Sequence, residues 1–194
     1  MRRRTLVAAI VPAATAGVAG CMTSIDDVFS SEPETPPGMT VTTYYEVADV
    51  LEEGVRYHQI EGDRVTGSDD HYWDVIPDEE AAETRFVSDE TVDEFVHETD
   101  FENEYLLVVQ YGMQSDRDLV PERFERTEDG IHAAFSIETP SVGGDDYAPH
   151  SVIARIDDDR NGNRVPEPDE VTVTIGGDDY DYPDRTTPSM LARE

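Results

Sequence analysis

Asp157-Asp158-Asp159-Arg160-Asn161-Gly162-Asn163 is the stretch of this chain whose residue types and spacing point most directly to chemistry. Counted from Asp157, side-chain oxygens fall at positions one, three and five, with glycine at six and Asn163 at seven, which is how a calcium loop begins to wrap a hard cation. Asp157, Asp159, Asn161 and Asn163 are the candidate ligands, and calcium is the single cofactor the sequence suggests. Position twelve breaks the pattern: Pro168 stands where a bidentate glutamate belongs, so Glu167, Asp169 or Glu170 would have to substitute. A solvated acidic turn is the competing reading, because Asp-x-Asp recurs by chance among 45 acidic residues and Asn-Gly is ordinary turn chemistry.

His58, His71, His97, His132 and His150 show no short-range metal spacing. Only the fold could gather His58, His132 and His150 with carboxylates into a hydrolytic site. No Gly-x-Ser-x-Gly elbow and no glycine-rich phosphate loop follows a strand. Trp73, beside His71, Tyr72 and Asp74, reads either as a recognition platform or as the anchor of a core.

Cys21 is the chain's one cysteine, and it closes an export-type leader. Arg2-Arg3-Arg4 is followed by an apolar run from Leu6 to Ala19 and then by Val18-Ala19-Gly20-Cys21, the small-residue pattern at which a thiol is lipidated and the preceding peptide removed. The apolar run is shorter than the roughly 20 residues a bilayer span needs. Arg3 and Arg4, with Leu6 and Val7 after them, have the twin-arginine arrangement that addresses folded proteins for export. The expectation is a chain held on the outer face of the cell membrane through lipid on Cys21. With no second thiol, no intrachain disulfide forms, and a blue-copper site has no thiolate to use.

The formal charge is −31, every basic residue is arginine, and lysine is absent. Such a surface self-repels in dilute buffer, but at 1 M salt the screening length is only about 3 Å, so multimolar salt removes most of the cost. In this respect the chain is similar to proteins of extremely halophilic archaea. Nine tyrosines, six phenylalanines and one tryptophan argue against an acidic disordered chain. Nucleic acid is excluded as a partner, because its recognition needs a basic face.

These features divide the chain into a leader (1–20), a proline-rich tether behind the lipidated cysteine (21–40), one β-rich domain (41–175) and an acidic, glycine-containing tail (176–194). Within the domain the period is two. Val41, Thr43, Tyr45 and Val47 share one face of a strand, and Ile131, Ala133, Phe135 and Ile137 share one face of another. Tyr105–Gln110, apolar on both faces, reads as a central strand. Pro121 marks Leu119–Arg126 as an edge or interrupted strand, and Glu128-Asp129-Gly130 as the turn after it. Ser151–Ile156 and Val171–Ile175 complete the strands. Ser88 is the expected cap of a helix carrying Val92, Phe95 and Val96, and a second short helix follows Pro77. The expected fold is mainly β (α+β), a small antiparallel sheet or sandwich with one or two short helices.

Asp100-Phe101, the run Tyr105 to Ser115, and Asp146 to Ser151 resemble haloarchaeal exported lipoproteins of unknown activity. Over residues 88–175 the order of strands and turns also resembles, more distantly, the PrcB-type C-terminal domain, a small β domain of a protease-stabilising subunit. That family's Thr-Gly-Gly-Tyr segment is replaced here by Met113-Gln114-Ser115-Asp116, and no functional residue is carried over. The leading expectation is a non-catalytic, lipid-anchored surface module that binds an extracytoplasmic protein or ligand. The alternatives are an extracytoplasmic hydrolase with a His/carboxylate site and a calcium-stabilised structural module.

Overall fold

The computed structural model describes residues 32–55, 71–139, 147–159 and 164–180. In chain order these form β1 (Met39–Glu46), β2 (His71–Ile76), α1 (Glu79–Arg85), α2 (Glu90–His97), β3 (Glu104–Gln114), β4 (Asp118–Arg126), β5 (Ile131–Glu138), β6 (Tyr147–Asp158), β7 (Val171–Ile175) and β8 (Asp178–Tyr180). Two four-stranded sheets result, one ordered β1-β6-β3-β2 and the other β4-β5-β7-β8. The mainly β, sandwich-like expectation holds.

Alternation along the strands explains the layering. Tyr105, Leu107 and Val109 of β3, with Trp73, Val75, Val152, Ala154 and Ile156, face the second sheet and pack against Phe124, Ile131, Phe135 and Val173. Leu106 and Val108, with Tyr72, Ile76 and Ile153, point the other way and pack under Ala82, Phe86 and Val92 of the helical side. The first sheet is thus covered on both faces, which is why β3 reads as an unbroken apolar run. Trp73 is fully buried between the sheets, so it is a core anchor and not an exposed platform.

Pro121 lies in β4, the edge strand of the second sheet, where the register slips between Pro121 and Arg123. A proline withholds a ladder hydrogen bond, and an edge with a bulge tolerates that loss. Asp78 caps α1 by accepting from the Ala81 N–H at 2.8 Å.

Five expectations need correction. Asp89, not Ser88, caps α2, since its carboxylate accepts from both the Thr91 and Val92 N–H groups and starts the helix one residue later. The sheets are not wholly antiparallel: β5 and β7 pair in parallel, because the chain leaves the second sheet to lay β6 in the first and then returns in its former direction. The tether does not run to residue 40, since Glu34 bridges Arg123 of β4 and Met39 already opens β1. The tail does not begin at 176, because Gly176 and Gly177, both at positive φ, turn the chain into β8. Finally, β6 extends through Asp157 and Asp158, so the acidic run begins inside a strand.

Candidate functional site

On the side of the first sheet away from the second, α1, α2 and the turn at 99–102 enclose a groove of about 730 Å³. Its apolar part is Ala82, Phe86, Val96 and Phe101, and its acidic part is Asp78, Glu79, Glu83, Asp93, Asp100 and Glu102. No arginine lines it, and His97 is the one basic side chain among its described lining residues. Helical spacing creates this mixture, since Glu79, Ala82, Glu83 and Phe86 recur at i, i+3, i+4 and i+7 on one face of α1 and its end.

Two arginines fix the walls. Arg85, in the last turn of α1, places Nη1 2.9 Å from both the Val75 carbonyl and the Asp74 carboxylate. Asp74 is buried in β2, and this burial pushes its pKa upward although Arg85 opposes the shift. Arg155 of β6 lies over the Phe95 ring, 4.4 Å from its centroid, and donates to the carbonyls of Phe95 at 3.2 Å and Glu98 at 3.3 Å. A cation there suits the carbonyls at the negative end of α2, where the Thr99 hydroxyl also donates to Phe95 at 3.3 Å. Phe95 in turn meets Tyr44 of β1, with ring centroids 5.6 Å apart.

The third wall is organised by Asp100, whose carboxylate accepts from the Glu102 N–H at 3.2 Å and from Asn103 Nδ2 at 2.8 Å. Asp78 and Asp100 therefore spend their carboxylates on local structure. Among the described residues, the carboxylates of Glu79, Glu83, Asp93 and Glu102 make no hydrogen bond or ion pair. They are the groove's available charges.

The histidines do not gather. His132 lies on the outer face of the second sheet, where Nε2 is 2.7 Å from Thr174 Oγ1 and Nδ1 is 3.6 Å from Glu125. Thr174 gives its hydroxyl proton to Asp179 at 2.8 Å, so it accepts from His132 and the imidazole is not its base. His150 points instead between the sheets, fully buried, with Nε2 donating to the Gln114 carbonyl at 3.1 Å and Nδ1 accepting from the Tyr45 hydroxyl. Burial holds His150 below its ordinary pKa and pushes the Tyr45 hydroxyl up. His58 lies outside the described residues. The hydrolytic trio is thus overturned for His132 and His150, which the strand pleat sends to different faces.

The proposed calcium ligands fare unevenly. Asp157 pairs in β6 with Thr40 and Glu104, on the side facing the helices. Asp158, outside the candidate set, faces the second sheet and holds Arg126 Nε at 2.8 Å. Asp159 is exposed, with Oδ1 3.7 Å from Arg126 Nη2, so a cationic partner is already beside it. Asn161 and Asn163 lie outside the described residues, as do Cys21, Arg3 and Arg4. Among the described residues no three His, Cys, Asp or Glu side chains gather to hold a metal ion, and no helix is long and apolar enough to cross a membrane.

A buried polar staple escaped the sequence reading. Gln110 donates to Asp49 at 3.0 Å and to Ser151 Oγ at 2.9 Å, and its Oε1 accepts from the Val55 N–H at 2.8 Å. Ser151 donates onward to the Ala48 carbonyl at 2.6 Å. The network binds segment 48–55 to the first sheet, and a Cβ at Gly54 would collide with both Asp49 and Gln110. The signal was a glutamine inside an otherwise apolar strand, which demands partners when buried. The groove also escaped notice, because its walls come from three segments that the sheet brings together; Phe86 and Phe101, apolar residues just beyond each helix, were its trace.

No family model, curated protein or solved structure matches this chain.

Proposed function

We propose that this protein is a lipid-anchored, non-catalytic binding module of a halophile, which presents the groove between α1 and α2 to a partner outside the cell. The groove carries the reading: about 730 Å³ of concave surface with an apolar floor lies beside a fully packed domain, and its size falls within the roughly 300–1,000 Å³ of ordinary ligand sites. The anchoring half rests on the leader and Cys21, and the halophilic half on an acidic, lysine-free surface. The absence of any match leaves both resemblances of the sequence as part of this proposal.

A photoreactive residue placed at position 83 in the groove, or at position 128 on the distant turn of the second sheet, tests the reading in intact cells kept in high salt. A discrete crosslinked product from 83 and none from 128 is expected; equal labelling from both would defeat the groove as the binding surface. Mass spectrometry of native material should find residues 1–20 removed and a lipid on Cys21.

A further inference from the structure

We infer that the groove takes a basic, amphipathic peptide segment, with arginine or lysine side chains flanking an apolar one; this inference rests on the groove reading above. The floor of Ala82, Phe86, Val96 and Phe101 rewards an apolar side chain. The surrounding carboxylates of Glu79, Glu83, Asp93 and Glu102 have no protein partner among the described residues and reject an anionic occupant. Glu79 and Glu83 stand one helical turn apart, so two cationic side chains about 6 Å apart would each meet a carboxylate.

Charge selects among the occupants. A second copy of a chain carrying −31 brings mainly more carboxylates, and of the six described arginines all but Arg117 already hold acidic partners of their own. An anionic lipid surface is repelled for the same reason. A small polyamine satisfies the rim and leaves the floor wet, whereas a basic segment with an apolar side chain satisfies both. In multimolar salt, long-range attraction is screened within about 3 Å, so recognition must come from contact pairs and the floor together.

The test uses the full mature protein in multimolar potassium chloride and a fluorescent, amide-capped hexapeptide, Arg-Phe-Arg-Leu-Arg-Phe, followed by anisotropy. Saturable binding is expected, with none for the peptide carrying glutamate in place of arginine. The variant E79Q/E83Q/E102Q, altered at exposed positions only, should lose at least about tenfold in affinity. The variant E122Q/E128Q/D129N, equally neutralised on the second sheet, should lose nothing. Val96→Thr, which keeps the shape of the floor and adds a hydroxyl, should weaken binding severalfold with its melting temperature recorded alongside. Absence of saturable binding, equal binding of the glutamate peptide, full affinity in the groove variant, or spermine competing as well as the peptide would each overturn the inference. A discrete crosslink from position 83 with no peptide binding would reject this occupant and keep the groove; peptide binding without that crosslink would reject the groove's cellular role.

Discussion

Arg126 ties three parts of the molecule at one point, and replacing it by glutamine should cost far more than an ordinary surface charge. Its guanidinium donates to Asp158 from Nε at 2.8 Å and Nη2 at 2.5 Å, to the Pro37 carbonyl at 2.7 Å and to the Gly38 carbonyl at 2.6 Å. The bond to Asp158 raises the arginine's pKa, so Arg126 keeps its charge. The side chains of Arg126 and Asp158 are only 11% and 17% exposed. Truncating one partner of a buried pair costs about 3–5 kcal/mol, and a hydrogen bond to a charged group contributes about 1.5–3 kcal/mol. With some water still reaching the pair, the expected loss is about 2–4 kcal/mol, or a fall in melting temperature of roughly 8–16 °C. The assay is urea and thermal unfolding in multimolar potassium chloride, where an exposed pair would be screened and this one is screened far less. Asp158→Asn and the double variant complete a cycle whose coupling should reach about 1–3 kcal/mol, with or without a calcium chelator. A loss below about 0.5 kcal/mol for Arg126→Gln would mean that the clamp is no better than a surface pair and would refute the reasoning.

Further outcomes follow from the same physics. His150 is held below 6.5 by burial, so as pH falls beneath that value the unfolded chain takes up a proton that the native state refuses. Stability therefore drops on acidification by up to about 1.4 kcal/mol per pH unit, and His150→Gln should flatten this limb in urea titrations. Asp74 has the opposite sign, since its pKa is raised above 3.8 by burial. Its contribution to stability falls as pH rises through the window above that value, and Asp74→Asn should remove this slope from the same titrations. Gln110→Leu strands the Val55 N–H and takes one donor from the Asp49 carboxylate, and should cost about 1–3 kcal/mol by chemical denaturation, with faster hydrogen exchange at Val55 as the local signature. Dialysis into dilute buffer should unfold the domain; an unchanged cooperative melt there would contradict the account of its surface charge.

Most of the fold was legible because its signals are local. The period-two runs in β1 and β5, the double-sided apolar run in β3, and Pro121 at an edge each follow from what a strand residue must bury or withhold. What escaped depends on contacts between distant segments. Nothing local distinguishes Asp158, which meets Arg126 from another sheet, from Asp157 and Asp159 on either side, and the spacing rule chose its two neighbours. The pleat already turned His132 away from the face of Ile131 and Ala133; that His150 lies in the other sheet and points into the core depends on pairings the sequence does not display. Ser88 against Asp89 is a one-residue choice between two good caps, settled by which carboxylate or hydroxyl reaches the second and third N–H groups. The groove lay furthest out of reach, since Phe86 and Phe101 become neighbours only after β2 and β3 are paired.

β6 lies between β5 and β7 in the chain but across the sandwich from both. Consequently neither layer exists as an excisable fragment: deleting one leaves the other missing a member or its wrapping. Assembly must proceed as a single event dominated by pairings between residues far apart in the chain, which makes it slow. The export proposed for this chain therefore suits a route that carries a domain already folded.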